Sequence, residues 1–577
     1  MPRSGFLLRG PPESLTRRWR AERDNLRCRR GAGTDSNPGS PVRGRALVRP
    51  GHSRTRRFTG EPRDMTSVEL LGTRVEATPD AEFLIYGDQR LTYAEVWAKA
   101  LQFAAAVRRL GPSSRVATYL ANCPWAVQAM FGTHAAGGVH VAINRQHRGA
   151  ILHDMLCRSE ASILVTDSDA LAEIVLDGCG VQTVVTVDSP ESTSPRRPGP
   201  QQVPISEFVG TEICSPAPVT PLEPASVLFT SGTTGRSKAV LLPHTMLTRG
   251  ARHVAEASQL TSDDSLHLWA PLYHIAGQLD LMLPMVVAGG VVVLVPRFSL
   301  SNFWKEVEDN HCTVFFGFPG MLQLLAKTMP TQPTSLRVGV VGGISPGLRY
   351  QFEEKLGVRF IDAYGMTEAE PIALSGLDSG APPGSCGRPT SDWSISVFDN
   401  DGFPQPAGVP GEIVARPRRP GVMMLRYEHD EAATVTAFRG LWWHTGDRGY
   451  VDSDGYLFVT GRLNDTIRRR GENISPRELE GIICQHPGVT ACVALGVEDA
   501  ELPDQEVKII VVPALRCQLT AESLHDWCRG RMSSFMLPRF IEIRDQLPLT
   551  GNGKLQLTEL RANGSDTWDS EEGQRET

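Results

Sequence analysis

The segment from Val227 to Val240 constrains this chain more than any other. An apolar run leads into the loop Thr-Ser-Gly-Thr-Thr-Gly-Arg-Ser-Lys, and a second apolar run follows Lys238. Glycines let backbone N–H groups approach phosphate oxygens, hydroxyls add donors, and the lysine adds a point charge. The spacing is not the Walker pattern, because Lys238 lies three residues after Gly235 and no Ser or Thr follows it. The segment is either a polar hairpin loop or a phosphate loop between two strands, and its density of Gly and Thr favours the phosphate loop.

The chain is too long for a single hydrophobic core. It has 577 residues, of which 41% are hydrophobic and 21% charged, as in ordinary globular proteins with two or more domains. Its longest apolar runs are broken by Pro and Gly and are too short to cross a membrane, so we expect no transmembrane segment. Its eleven cysteines are scattered, without a C-x-x-C pair or a His cluster. This pattern predicts neither a zinc site nor a disulfide framework, and it favours the cytoplasm.

Residues 1–64 differ from the rest of the chain. They contain 16 arginines, no lysine and six acidic residues. A nucleic-acid-binding arm and a transit peptide are two readings of such a segment. A disordered extension is favoured, because the segment is rich in Pro, Gly and Ser and has no apolar periodicity. Since Met65 opens the patterned sequence, we expect an upstream extension from a misplaced start, and no nucleic-acid partner.

From Met65 onward, helical and strand-like segments alternate, which predicts an α/β fold. The predicted elements before residue 461 are a helix over 93–109, strands over 115–120, 163–165 and 184–185, and a surface loop over 189–202. The pattern of the sequence changes a second time near residues 461–464. Beyond it we predict helices over 476–484 and 521–532, strands over 489–497 and 507–512, and a disordered acidic tail after Leu560.

Four further motifs follow the phosphate loop. They read DAYGMTE at 362–368, WHTGD at 443–447, GRLNDTI at 461–467 with RGENISPRELE at 470–480, and PLTGNGK at 548–554. With the loop at 230–238, the chain resembles the adenylate-forming (AMP-binding) superfamily, acyl-CoA synthetase type, over residues 70–560. The motifs near Phe535 and Gly471 resemble those of the crotonobetaine/carnitine-CoA ligases.

This resemblance implies a large N-terminal multi-sheet α/β adenylation domain at 65–461 and a small mobile α+β C-terminal domain at 462–561. Segments 1–64 and 562–577 are expected to be disordered. The implied reaction converts a small carboxylic acid and ATP, with Mg²⁺, into an acyl-adenylate and pyrophosphate, and then transfers the acyl group to coenzyme A. Two alternatives stay open: loading of a carrier-protein phosphopantetheine, and a non-catalytic nucleotide-binding regulator. The oligomeric state is unknown.

The same resemblance implies roles for individual residues. Lys554 would bridge the substrate carboxylate and the α-phosphate, Thr367 would touch the α-phosphate, and Glu368 would bind Mg²⁺. Tyr364 would stack on adenine, and Asp447 would accept the ribose hydroxyls. The complete set implied for ATP is Thr230, Ser231, Gly232, Thr233, Thr234, Gly235, Lys238, Gly343, Tyr364, Gly365, Asp447 and Arg462.

The acyl and thiol sides carry fewer implied residues. His274 and Phe318 would line the acyl pocket, and His274 stands where amino-acid-activating relatives carry Asp, which argues against an α-amino acid. Gly471 would line the path of the thiol, and Asn464 would be the hinge, where the family commonly has Asp or Lys. Asp362 is as well explained by capping of a turn as by catalysis. We expect Glu370 and Glu431 to be surface charges.

Overall fold

The structure is a computed structural model, and it describes the chain with several gaps. The described residues are 63–111, 114–188, 199–230, 237–344, 346–399, 401–463, 467–474, 476–498, 505–514, 517–547, 560 and 567–570. Asp64–Thr577 form one compact unit, and everything below concerns this unit. Several predicted site residues lie outside the described residues: Ser231, Gly232, Thr233, Thr234, Gly235, Asn464 and Lys554.

The helices are distributed along the whole unit. In the described part of the chain they are α1 (Ser67–Ala77), α2 (Tyr93–Leu110), α3 (Pro124–Ala136), α4 (Gly149–Arg158), α5 (Ser168–Glu173), α6 (Ile205–Val209), α7 (His244–Ala257), α8 (Leu283–Ala288), α9 (Leu300–Asp309), α10 (Pro319–Lys327), α11 (Pro346–Leu356), α12 (Glu431–Ala437), α13 (Pro476–Ile483) and α14 (Ala521–Arg529). A π-helix covers Ala276–Met282, and a 3₁₀ turn covers Ser534–Met536. Among these residues, no helix is long and apolar enough to cross a membrane.

The strands alternate with these helices. They are β1 (Glu82–Tyr86), β2 (Gln89–Thr92), β3 (Arg115–Tyr119), β4 (Val139–Ala142), β5 (Ile163–Thr166), β6 (Thr183–Thr186), β7 (Gln201–Pro204), β8 (Pro224–Thr230), β9 (Lys238–Pro243), β10 (Ser265–Leu268), β11 (Val291–Leu294), β12 (Val314–Gly317), β13 (Val338–Val341), β14 (Arg359–Met366), β15 (Ala369–Leu374), β16 (Arg388–Pro389), β17 (Trp393–Phe398), β18 (Gly411–Pro417), β19 (Arg426–Tyr427), β20 (Phe438–Arg439), β21 (Trp442–Val451), β22 (Leu457–Arg462), β23 (Ile467–Arg469), β24 (Glu472–Ile474), β25 (Val489–Glu498), β26 (Gln505–Pro513), β27 (Phe540–Ile543) and β28 (Trp568–Asp569).

Local sequence explains why the best-predicted helix forms. Thr92 caps α2 by accepting from the backbone of Glu95, and the Glu95 side chain accepts in return from the backbone of Thr92. The apolar residues of α2 repeat at helical spacing and are buried, and Gly111 ends the helix. The predicted helix over 93–109 is therefore confirmed. The predicted loop over 189–202 is wrong at its end, because Gln201 and Gln202 belong to β7.

The large domain contains three sheets. A nine-stranded sheet has the order β16-β15-β14-β13-β12-β10-β11-β1-β2, and an eight-stranded sheet has the order β19-β9-β8-β4-β3-β5-β6-β7. A third sheet joins β17, β18, β21 and β20, with β22 paired to β21. Strands β10, β12, β13 and β14 are mutually parallel neighbours. Their carboxyl ends therefore meet at one edge, where α/β sheets usually bind ligands.

The small domain holds a four-stranded sheet and a separate hairpin. The sheet order is β25-β26-β27-β28, and β23 and β24 form the hairpin at Ile467–Ile474. One hydrophobic cluster combines residues of the eight-stranded sheet, such as Tyr119 and Val141, with Phe535 and Ile541 of the small domain. The predicted α/β fold, with a large N-terminal domain and a small C-terminal domain, is confirmed.

Two predictions about the chain are corrected here. The tail after Leu560 is not wholly unstructured, because Trp568 and Asp569 form β28, an edge strand paired with β27. The Asp569 carboxylate lies 3.3 Å from Arg539 Nε, and the Trp568 ring contacts His525 at a centroid distance of 5.2 Å. The pairing with β27, the Trp568 ring and the ion pair of Asp569 thus attach a segment whose composition is polar.

The second correction concerns the cysteines. Cys157 at the end of α4 forms a disulfide bond with Cys179, 22 residues later. Both flank β5, and the parallel pairing of β5 with β3 and β6 brings their segments together. Sequence spacing alone carried no sign of this pairing, because the contact depends on how the sheet is assembled.

Candidate active site

A cavity of about 1520 Å³ opens at the carboxyl ends of β10, β12, β13 and β14. The strands flanking the phosphate loop form another part of its wall, and the hairpin at Ile467–Ile474 closes a third side. Within the described residues it brings together eight of the predicted positions: Thr230, Lys238, His274, Phe318, Gly365, Thr367, Glu368 and Gly471. Three of the five motifs, together with the segments that contain His274 and Phe318, therefore converge on one space.

The described ends of the phosphate loop are paired. Thr230 and Lys238 are register partners on the antiparallel strands β8 and β9. A hairpin connection and a phosphate loop are therefore not exclusive readings of this segment. The Lys238 ammonium lies 4.6 Å from the centre of the Tyr427 ring, a favourable cation–π distance. The lysine is thus held at the cavity wall.

Tyr427 connects the phosphate loop to the motif at 362–368. Its hydroxyl donates a hydrogen bond to Glu368 Oε1 at 2.6 Å. Burial and the Glu368 carboxylate both raise the pKa of Tyr427 above its usual value, so the phenol stays a donor. Sequence reasoning missed Tyr427, because β19 reaches the site only by pairing with β9. No local motif marks that pairing.

Thr367 and Glu368 lie on the turn between β14 and β15. Glu368 is 8% exposed and borders the cavity, and one of its oxygens accepts from Tyr427. Magnesium prefers one or two carboxylates together with phosphate oxygens and water. The donor chemistry of Glu368 therefore fits a magnesium ion facing the phosphate loop.

The predicted adenine and ribose residues lie behind this wall. The Tyr364 hydroxyl donates to Asp447 Oδ2 at 2.9 Å, and both side chains are buried. Burial and the nearby Asp447 raise the pKa of Tyr364. The backbone of Arg462 is the register partner of Asp447 across β22 and β21. These three residues from three motifs therefore adjoin one another, as a shared nucleoside site requires.

The Asp362 carboxylate accepts a hydrogen bond from the backbone of Gly343. Its Oδ1 accepts from the Gly343 N–H at 2.9 Å, and Gly343 has a φ of +86°. Burial raises the pKa of Asp362 to about 7, even though the Gly343 hydrogen bond opposes that shift. The capping interpretation of Asp362 is confirmed, and Gly343, which follows β13, is placed beside β14.

The acyl side is joined to the small domain through two contacts. His274 Nε2 lies 2.8 Å from Glu472 Oε1, and burial, which alone would lower the pKa of His274, is outweighed by that carboxylate, so the pKa is raised. Gly471 has a φ of +80°, and a Cβ placed there would meet the Phe318 ring at 3.2 Å. We call Ile467–Ile474 the Gly471 hairpin. It faces the predicted acyl pocket, and a side chain at 471 would crowd the Phe318 ring and strain the backbone.

Further contacts fix the same arrangement of the domains. Ser237 donates to Glu478 Oε1 at 3.3 Å, and burial raises the pKa of Glu478 to about 7. Ser533 Oγ lies 2.8 Å from His147 Nδ1. The small domain therefore touches both the phosphate loop and the large-domain wall.

Glu370 is a prediction that the structure overturns. We expected a surface charge, but its side chain is buried at 7% exposure and borders the cavity. The reason is topological: β15 turns back on β14 and carries Glu370 inward. Glu431, at the start of α12, is exposed as expected.

Family models match most of the chain. An AMP-binding enzyme model covers residues 71–427, and an AMP-binding enzyme C-terminal domain model covers residues 478–554. A feruloyl-CoA synthase of Amycolatopsis is 31% identical over 497 residues, covering 85% of this chain and 97% of that protein. A crotonobetaine/carnitine–CoA ligase of Salmonella paratyphi B is 31% identical over 463 residues, covering 76% and 87%.

A solved structure agrees with these sequence matches. The o-succinylbenzoate CoA synthetase of Bacillus subtilis, bound with a product analogue, superposes with a TM-score of 0.73 at 26% identity, covering 87% of this chain and 99% of that one. The matched regions contain the loop at 230–238, Glu368 and the PLTGNGK motif at 548–554. This chain belongs to the AMP-binding enzyme family.

Proposed function

We propose that this chain is an AMP-forming acyl-CoA ligase. It activates a carboxylic acid with ATP, releasing pyrophosphate, and then transfers the acyl group to coenzyme A. The observation that carries the proposal is the meeting of two sets of groups in one cavity. One set suits phosphates and a cation (Lys238, Thr367, Glu368), and the other is the Gly471 hairpin beside the acyl pocket.

In the first half-reaction, a carboxylate oxygen attacks the α-phosphorus and the bond to pyrophosphate breaks. Two anions meet, so positive charge must lie where charge accumulates. Lys238 and the loop at 230–238 hold the outer phosphates, and Thr367 orients the α-phosphate. Glu368 holds Mg²⁺, which supplies charge neutralisation when it is bound. Tyr427 fixes the Glu368 carboxylate through its hydrogen bond.

Other assignments follow the family motifs. Asp447 receives the ribose, Tyr364 and Gly365 border the adenine, and Arg462 supports the nucleotide. Lys554 contacts the substrate carboxylate and the α-phosphate during adenylation, and Asn464 is the hinge. The location of the enzyme in the cytoplasm stays a prediction.

In the second half-reaction, the coenzyme A sulfur attacks the acyl carbonyl carbon and AMP leaves. We assign the described arrangement to this step, because the Gly471 hairpin borders the acyl pocket. The carbon of a side chain at 471 would narrow the path of a pantetheine arm. Adenylation then requires the small domain to rotate and bring Lys554 inward.

Two assays test this proposal. We expect acid-dependent ATP–pyrophosphate exchange with at least one member of a broad carboxylic-acid panel, and AMP release that depends on free coenzyme A. Exchange without release on free coenzyme A would instead favour the carrier-protein alternative. Absence of exchange across the whole panel, with ATP still bound, would contradict the enzyme and leave the nucleotide-binding regulator.

A further inference from the structure

A histidine lies beside the disulfide at the end of α4. His153 and Cys157 are four residues apart on α4, so both side chains project from one face of the helix. Cys179, the disulfide partner of Cys157, lies in the turn before β6. One ligand atom from each of the three residues lies within 4.8 Å of the others, and all three residues are partly exposed. An ion from solvent can therefore reach this cluster, which lies outside the cavity of the proposed ligase reaction.

The histidine ring is oriented as in many metal sites. His153 Nε2 lies 2.9 Å from the backbone oxygen of Asp177. A carbonyl oxygen only accepts, so Nε2 carries the proton and the neutral ring keeps its lone pair on Nδ1. Metal-binding histidines usually donate their other N–H to a carbonyl or a carboxylate, which fixes the ring in this way. The Asp177 carbonyl thus leaves Nδ1 as the nitrogen that can bind a metal ion.

The distance between the ring and the sulfur also fits a shared metal ion. Cys157 Sγ lies 3.9 Å from His153 Nδ1 and 3.6 Å from Nε2, so the ring edge between the two nitrogens faces the sulfur. Ordinary zinc bond lengths in a tetrahedron separate a nitrogen from a sulfur by about 3.6 Å. A small rotation of the ring is therefore enough to place Nδ1 and Sγ around one ion.

Reduction converts the two cysteines into metal ligands. A dithiol reductant gives two electrons and two protons, the S–S bond breaks into two thiols, and the reductant becomes a disulfide. A zinc ion then binds both sulfurs as thiolates, so two protons are released. Zinc–sulfur bonds of about 2.3 Å place the two sulfurs about 3.8 Å apart. Cys179 belongs to a turn, outside the helices and strands, so rotation of its side chain can supply that separation.

We propose that His153, Cys157 and Cys179 form a zinc site that exists only while the disulfide is reduced. A water molecule completes the tetrahedron, and thiolate and imidazole are ligand types that select zinc over magnesium. The disulfide and the ion exclude each other, because the same two sulfurs form both. A reducing compartment keeps thiols reduced, so the chain binds zinc there, and oxidation to the disulfide releases the ion. This proposal does not depend on the ligase reaction.

The experiment titrates the reduced full chain with Co²⁺, a spectroscopic substitute for zinc. The chain is reduced with a phosphine and then freed of reductant and metal, and charge-transfer absorption between thiolate and cobalt is recorded together with proton release. This absorption requires a cobalt–sulfur bond, so cobalt at the proposed magnesium site does not contribute to it. Zn²⁺ is added afterwards to displace the cobalt. The same titration is made on the chain with the disulfide intact.

Variants identify the ligands. They are Cys157→Ser, Cys179→Ser and His153→Gln, with Cys517→Ser, at an exposed free cysteine, as the control. Circular dichroism shows whether each variant folds. Alkylation of the reduced wild type with and without Zn²⁺, followed by mass spectrometry, identifies the protected cysteines without any substitution.

We expect the reduced wild type to bind one equivalent of Co²⁺ with charge-transfer absorption, to release about two protons per ion, and to lose the absorption when Zn²⁺ is added. The cysteine variants and His153→Gln should each bind at least about tenfold more weakly, and His153→Gln should keep a thiolate absorption. Cys517→Ser should match the wild type, and the chain with an intact disulfide should show no absorption. Zn²⁺ should protect Cys157 and Cys179, but not Cys517, from alkylation.

Three results would overturn this proposal. The first is a reduced wild type without charge-transfer absorption. The second is a folded cysteine variant, or the chain with an intact disulfide, that binds Co²⁺ as the reduced wild type does. The third is equal alkylation of Cys157 and Cys179 with and without Zn²⁺, and this result decides the proposal even if the variants fail to fold.

Discussion

At the scale of single residues, Tyr427 is the link between the phosphate loop and the proposed magnesium ligand. Its hydroxyl donates to Glu368 at 2.6 Å while its ring lies under Lys238. A hydrogen bond to a charged group contributes about 1.5–3 kcal/mol. Tyr427→Phe keeps the ring and removes only the donor, so we expect a loss of about tenfold or more in pyrophosphate exchange.

The measurement is the exchange rate across a magnesium titration. We expect Tyr427→Phe to need more magnesium for half-maximal rate, because the Glu368 carboxylate is no longer held in place. Tyr350→Phe is the matched control, since Tyr350 also donates to a glutamate, Glu354, but is 60% exposed. Identical magnesium curves for wild type and Tyr427→Phe would contradict the role of Tyr427.

The residues that a sequence motif predicts for the site meet in one cavity, and their roles stay predictions. Lys238 begins the strand that follows its loop, and Thr367 and Glu368 follow the strand of their motif. The cavity positions of Glu370 and Tyr427 were not predicted, because they depend on a returning strand and on a distant strand pairing. Nothing in their flanking sequence reports those tertiary contacts.

At the scale of elements, the Gly471 hairpin is predicted to separate the two half-reactions. Gly471→Ala adds a Cβ that would lie 3.2 Å from the Phe318 ring, at a φ of +80° that side-chain-bearing residues rarely adopt. Such strain is worth about 1–3 kcal/mol, so we expect coenzyme A-dependent AMP release to fall about tenfold or more. Pyrophosphate exchange should remain near wild type, because it uses the rotated arrangement.

Gly402→Ala is the control for this variant. Gly402 has a φ of +85°, but a Cβ there would meet no atom within 4 Å. The Gly402→Ala substitution therefore imposes the same backbone strain as Gly471→Ala, without the contact to Phe318. If Gly402→Ala reduced AMP release as much as Gly471→Ala, or if Gly471→Ala reduced exchange equally, the hairpin would have no special place in thioester formation.

The disulfide is a second element-scale prediction. Cys157–Cys179 closes a loop of 22 residues between α4 and the segment before β6. A disulfide that closes a loop of this length stabilises the folded state by about 3 kcal/mol, because it restricts the unfolded chain. Cys179→Ser should therefore lower the free energy of unfolding in urea by about that amount under oxidising conditions. Reductant should erase the difference, and Cys517→Ser, at an exposed free cysteine, should change nothing. Equal stability of the wild type with and without reductant would show that the bond does not contribute.

At the scale of the whole molecule, the sequence predicted the domain types better than their contacts. Apolar strands and capped helices such as α2 identified the α/β class, since those patterns are local. The pairing of the small domain with the large one depends on His274–Glu472, Ser237–Glu478 and the shared cluster around Phe535. Each of these joins residues about two hundred or more positions apart, which a motif search does not connect.

Those contacts make the arrangement of the domains sensitive to pH. The pKa of His274 is raised by Glu472, and the pKa of Glu472, which burial alone would raise, is lowered by His274. The ion pair therefore stabilises this arrangement fully between pH 4.5, the usual pKa of Glu, and pH 6.5, the usual pKa of His. This contribution is lost as the pH rises through the raised pKa of His274. Glu478, with its pKa raised to about 7 by burial, favours this arrangement only while protonated. The charge on His274 and the proton on Glu478 thus both favour this arrangement at lower pH.

We therefore expect alkaline pH to move the small domain away from the acyl pocket. Energy transfer between dyes on the two domains, measured without coenzyme A from about pH 6 to about pH 9, should fall as His274 and Glu478 deprotonate. Glu472→Gln should begin at a lower transfer efficiency, and its efficiency should change less with pH. The reason is that the neutral amide no longer forms an ion pair with the charged imidazole of His274. Glu412→Gln is the matched control, because Glu412 lies 2.8 Å from His444 but both belong to the large domain. A transfer efficiency independent of pH in the wild type would mean that the apolar cluster around Phe535, rather than this ion pair, holds the domains in place.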